Sequence, residues 1–100
     1  MNYKEQVKEV LNCEIEALQS VCDKIDTNLC DIIEAINECH GRIIVTGMGK
    51  SGHIGQKIAA TMASVGIQAF FMHPSEGLHG DLGIVNKNDL VLALSFSGET

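Results

Sequence analysis

Arg42-Ile43-Ile44-Val45-Thr46-Gly47-Met48-Gly49-Lys50-Ser51-Gly52 is the stretch on which the fold turns. Residues 42–46 form a short β-branched run, the pattern of a strand buried on both faces of a parallel sheet. Residues 47–52 form a glycine-rich turn. A helix follows from about Ser51 to Val65, with Gly66 placed to end it. Ala69-Phe70-Phe71-Met72 reads as a second short strand, stopped by His73-Pro74. Residues 75–89 read mostly as loop, with one helical turn near Ser75-Glu76. Leu90 to Leu94 is a third apolar strand, and Ser95-Phe96-Ser97-Gly98-Glu99-Thr100 follows it. Strand, helix, strand and strand in this order are the grammar of an α/β domain with an open parallel sheet. A third strand of this kind expects a covering helix, so the chain reads as a fragment, the opening part of a longer domain.

Upstream of the strands the periodicity is helical. Val7, Leu11, Leu18, Cys22 and Ile25 recur at helical spacing from about residue 4 to residue 24, with acids on the other face. Asp26, Thr27 or Asn28 can cap a second helix carrying Leu29, Ile32, Ile33 and Ile36, which Gly41 is placed to end. The expected organisation is N-terminal helices over residues 1–41 and the first half of a sheet domain over residues 42–100.

Composition narrows the function classes. The 100 residues are 45% hydrophobic and 20% charged, a folded rather than a disordered balance. The formal net charge of -6 argues against a nucleic-acid partner, which needs a basic surface. It does not exclude a phosphate ligand, because backbone amides and helix N-termini bind anions without net positive charge. No run is long and apolar enough to span a bilayer, and Met1 to Gln6 lacks the apolar stretch of a secretory signal. Cys13, Cys22, Cys30 and Cys39 show no C-x-x-C pairing. They read as reduced thiols filling a helix-packed core in the cytoplasm, not as a zinc site.

Three loops carry the candidate chemistry. The first matches G-x-G-x-x-G through Gly47, Gly49 and Gly52, between a strand and a helix. A dinucleotide site also wants an acid at the end of the second strand, where this chain has Met72 and His73. A Walker A loop fails as well, because its leading glycine would fall at Ile44. What remains is a tight turn aiming amides at an anion, with Gly49, Lys50 and Ser51 at the helix start. The second loop gathers the hydroxyls of Ser95, Ser97 and Thr100 around Gly98, a set suited to several phosphate oxygens. If the strand order is 2-1-3, both loops flank the switch point where such sheets bind ligands. The third loop, His73-Pro74-Ser75-Glu76-Gly77-Leu78-His79-Gly80-Asp81-Leu82-Gly83, holds two histidines and two acids at the same end. Its six-residue histidine spacing is not a helix-face metal pair, so no metal is required.

These residues closely resemble the sugar isomerase (SIS) domain, and within it the arabinose-5-phosphate isomerase group. The resemblance rests on residues 47–55, on the His73 to Gly83 loop and on Ser95 to Thr100. It covers the chain from Arg42 onward. Leu78 stands where a small residue is common, and Ile67 where threonine is often seen. The resemblance implies a three-layer, flavodoxin-like parallel sheet of five strands flanked by helices, in a cytoplasmic homotetramer. It implies interconversion of ribulose 5-phosphate and arabinose 5-phosphate, a step toward the sugar acid Kdo, with no required cofactor. Lys50 and His79 take catalytic roles by this resemblance. Gly49, Ser51, Gly66, Ile67, His73, His79, Ser95, Ser97, Gly98 and Thr100 bind substrate, and His73 can take an inhibitory zinc. Further catalytic glutamates of the family lie beyond Thr100, which leaves Glu76 and Glu99 as the weaker candidates for the base. The alternatives are a non-catalytic sugar-phosphate sensor and another sugar-phosphate isomerase of the same fold. The histidine loop favours the enzyme, because a sensor needs only the phosphate anchor.

Overall fold

The run of β-branched residues forms the central strand β1, Ile43–Gly47, in a computed structural model that describes residues 2–75, 83 and 85–99. Ile43, Ile44 and Val45 are buried completely or nearly so, as a strand covered on both sides requires. Helix α3, Lys50–Ser64, follows the glycine turn and leads into β2, Ala69–Phe71. The third strand, β3, is Leu90–Leu94. All pairings are parallel and the order is β2-β1-β3, so the expected α/β fold and strand order are both observed. Ile43 pairs with Ala69 on one side and with Leu90 on the other.

Side chains alternate across the sheet. Ile43 and Val45 point to the α3 side, where Ala59 completes the buried cluster and Ile58, Met62, Phe71 and Leu92 pack around it. On β3, Leu90, Leu92 and Leu94 are half-buried while Val91 and Ala93 are exposed. The glycine turn lets α3 start close to its strand. A Cβ on Gly52 would stand 2.6 Å from the Gly47 carbonyl oxygen, so no larger residue fits without a backbone shift.

The chain divides into two compact units, Met1–Glu34 and Ala35–Thr100. The first holds α1, Tyr3–Lys24, and the start of α2, Thr27–Glu38. Asn2 caps α1 by accepting the Glu5 amide at 3.3 Å, and Glu5 and Lys24 suit the two ends of the helix dipole. Asp26 accepts the Asn28 amide at 3.0 Å and opens α2. That helix stops at Glu38, three residues before the expected terminator Gly41. The cysteines also depart from expectation. All four are free thiols, but Cys13, Cys22 and Cys30 are exposed and only Cys39 is half-buried, against the sheet core. The physical reason is that neither α1 nor α2 contains a buried residue: Leu11 is 52% exposed and Leu18 70%. No described helix is long and apolar enough to cross a membrane.

Candidate functional site

The strand order places the loops after β1 and β3 side by side, since Gly47 is in register with Leu94. Between them lies a cavity of about 360 Å³ lined by Thr46, Gly47, Met48, Pro74, Ala93, Leu94 and Ser95. It sits at the carboxyl ends of the strands, at the switch point of the sheet.

Directly after the lining residue Met48 comes the start of α3. Gly49 is its N-cap, at φ 63°, a left-handed conformation that favours glycine. With no side chain to cap the helix, the amides of the first turn point outward and carry the positive end of the helix dipole. Lys50 is the first helical residue and is exposed, and Ser51 behind it is half-buried. This edge therefore combines amides, a hydroxyl and a cation. On the other side Ser95 lines the cavity and opens the serine loop. Ser95 Oγ accepts the Gly98 amide at 2.9 Å, and Ser97 Oγ accepts the Glu99 amide at 3.1 Å. Gly98 has φ 80°, which turns the chain within the loop. Both hydroxyls keep their own protons for donation to an anion.

His73 follows β2, one residue past the buried Met72, and is exposed. Its ring Nδ1 accepts the Ser75 backbone N–H at 3.1 Å and stands 2.8 Å from Ser75 Oγ. The ring therefore caps a helical turn that begins at Pro74. Thr100, His79, Glu76 and Asp81 lie outside the described residues. Among the described residues that line the cavity there is no carboxylate and no imidazole. No group of three or more described His, Cys, Asp and Glu residues is placed to hold a metal ion.

Gly66 and Ile67 do not join the other site residues within this chain. They follow the far end of α3, a helix of 15 residues and roughly 22 Å. The Ile67 amide donates to the Met62 carbonyl at 3.0 Å and the Gly66 amide to that of Ala63 at 3.1 Å, with Gly66 at φ 92°. This is a Schellman ending, and it accounts for the glycine by local geometry alone. Thr46, by contrast, is a cavity residue that the sequence did not single out. Its Oγ1 is buried and has no hydrogen-bond partner among the described residues. The only sequence signal was a hydroxyl at the end of an otherwise apolar strand.

At the opposite, amino end of the sheet, Asp89 holds β1 to β3. Its carboxylate accepts the Arg42 guanidinium at 2.6 Å, the Arg42 amide at 2.8 Å and the Asn86 amide at 2.8 Å. The Arg42 hydrogen bond, then these amides, hold the Asp89 carboxyl well below the usual carboxylate range. The same bond raises the Arg42 pKa, and its guanidinium lies 5.3 Å from the Phe70 ring centre. This pair is structural and lies away from the cavity.

A family profile described as SIS domain matches residues 35–100. The arabinose 5-phosphate isomerase KdsD of Yersinia pestis is 50% identical over 100 residues, covering 100% of this chain and 30% of that protein. The protein of the same name from Escherichia coli strain K12 is 48% identical over 99 residues, with 99% and 30% coverage. Among solved structures, c3406 of E. coli CFT073 in complex with arabinose 5-phosphate aligns with a TM-score of 0.87 at 39% identity. That match covers 100% of this chain and 55% of that one. The chain thus spans about 30% of the length of these curated relatives.

Proposed function

This chain belongs to the SIS domain family, and from that premise we propose that the protein interconverts arabinose 5-phosphate and ribulose 5-phosphate. The observation that carries the reading is the meeting of two anion-suited loops on one cavity at the carboxyl ends of β1 and β3. The names of the relatives, and the arabinose 5-phosphate bound in the E. coli structure, support the sugar phosphate as its ligand. In the proposed roles, Ser95, Ser97, Gly98 and Thr100 hold the phosphate, and Gly49 and Ser51 border the sugar. A base removes the proton on C2 of the aldose, giving an enediolate that is reprotonated on C1 to the ketose. Lys50 supplies the cation beside the developing enediolate oxygen. His73 and His79 meet the sugar oxygens, and His79 assists proton transfer. The base is a carboxylate outside the described cavity lining. We place the activity in a cytoplasmic homotetramer that supplies the route to Kdo and needs no metal, zinc being an inhibitor.

Incubation with arabinose 5-phosphate, followed by NMR, tests the reading. Appearance of ribulose 5-phosphate is expected. Tight binding without turnover would make the protein a sensor, and absence of both would end the sugar-phosphate reading. In the same assay Lys50→Ala should lower kcat far more than it raises KM, because its interaction belongs to the transition state. An unchanged kcat with a raised KM would make Lys50 a binding residue only.

A further inference from the structure

Thr46 puts a hydroxyl near the end of an otherwise apolar strand. Side chains alternate along β1, so Thr46 shares the face of Ile44, opposite the one on which Ile43 and Val45 meet α3. The residue lines the cavity and is half-buried. Its Oγ1 is nevertheless buried and has no hydrogen-bond partner among the described residues. The exposed part of Thr46 therefore lies on its other atoms. Buried polar groups are nearly always paired, and one left unpaired costs its full desolvation penalty. Valine has nearly the same shape, suits a strand as well and would avoid that cost. The hydroxyl thus weakens the fold at a position that borders the cavity.

Oγ1 and Cγ2 sit on the same Cβ, and a turn of about 120° in χ1 exchanges them. The turn gives up no hydrogen bond to the described residues, since Oγ1 makes none there. The cavity walls supply no side-chain partner. Gly47, Met48, Pro74, Ala93 and Leu94 carry no hydroxyl, amide or charged side chain, and Ser95 Oγ already accepts the Gly98 amide. We propose that Thr46 is a ligand-binding residue whose hydroxyl turns into the cavity and hydrogen-bonds a hydroxyl of the bound sugar. This rests on the proposed function for the identity of the ligand. A threonine hydroxyl both donates and accepts, as a sugar hydroxyl does, so the two match in either direction. The phosphate, which needs several donors, goes to the serine loop instead. A hydroxyl paired only in the complex favours the sugar that pairs it and rejects an analogue that lacks the matching group.

Titration of arabinose 5-phosphate and of inorganic phosphate into the wild type, Thr46→Val and Thr46→Ser tests this contact. Thr46→Val should weaken arabinose 5-phosphate about tenfold, the worth of one hydrogen bond, and leave inorganic phosphate unchanged. Thr46→Ser keeps the hydroxyl and should bind as the wild type does. The urea midpoint of Thr46→Val should lie no lower than that of the wild type, which separates a lost contact from a damaged fold. Among monodeoxy analogues of arabinose 5-phosphate, the wild type should lose affinity for one that Thr46→Val binds as well as it binds the parent sugar. Wild-type affinity for arabinose 5-phosphate in a folded Thr46→Val protein overturns the inference. So do equal losses for both ligands, a Thr46→Ser protein as weak as Thr46→Val, or a lowered urea midpoint. Each of these leaves the proposed function standing. A wild type that does not bind arabinose 5-phosphate overturns both.

Discussion

Ser97 Oγ accepts the Glu99 amide at 3.1 Å, which orients the hydroxyl and leaves its proton for an incoming oxyanion. Loss of that donor should weaken 5-phosphates selectively. Ser97→Ala is expected to cost about 1–3 kcal/mol in arabinose 5-phosphate binding and almost nothing for arabinose. Calorimetric titration of both sugars checks this, and equal losses would place the phosphate elsewhere. Thr46 presents the opposite case, a buried hydroxyl without a partner among the described residues. Thr46→Val keeps the shape and removes the orphan, so it should raise stability by about 1 kcal/mol in denaturant unfolding. A destabilised variant would mean that the hydroxyl has a partner the described residues do not include. The glycines were the most legible residues in the sequence. Gly49 and Gly66 take positive φ where the helix boundaries were expected, because only local backbone geometry is at stake there. A role of Gly66 beyond ending α3 has no such local signature.

Strands and helices were legible to within a residue or two. β1 runs 43–47 against an expected 42–46, and β3 runs 90–94 as expected. These elements announce themselves through buried β-branched runs and through the spacing of apolar residues. The end of α2 departs from the expected one: the helix stops at Glu38, and Gly41 instead lies where a Cβ would clash with the Asn88 carbonyl. The chain has already left the helix at Glu38 in order to deliver Arg42 to Asp89. That clamp carries a pH dependence. The Asp89 carboxyl is held below its ordinary value of 3.8, chiefly by the Arg42 hydrogen bond. A depressed carboxyl contributes stability that is complete well above the ordinary value and is lost as pH falls below it. Asp89→Asn should therefore unfold at lower temperature than the wild type at pH 7. The gap between the two should narrow below about pH 4, where the carboxylate starts to bind protons. A gap that stays constant from pH 7 to pH 3 would show that the Asp89 charge contributes nothing.

Over these 100 residues the net charge of -6 supplies no long-range attraction for an anionic ligand. Binding has to come from local amides, hydroxyls and Lys50. The expected signature is selective stabilisation by mass action. Arabinose 5-phosphate at 100 times its Kd should stabilise the folded protein by about 2.7 kcal/mol, read as a raised Tm, while arabinose at equal concentration leaves Tm unchanged. Equal shifts with both sugars would remove the phosphate from the recognition. The sequence by itself determined the α/β class, the order of elements and the positions of the turns, because each follows from residues adjacent in the chain. It also carried the residue patterns of the two anion loops. Tertiary structure decided which loops meet. The order β2-β1-β3 brings residues 46–48 and 93–95 to one cavity, and α3 carries Gly66 to its far end. It also left the α1 stripe and three cysteines exposed, since periodicity identifies an apolar face but not what covers it. The Thr46 hydroxyl, without a partner among the described residues, and the Arg42–Asp89 pair depend on which polar groups come within about 3 Å in space. No pattern in the sequence encodes that distance.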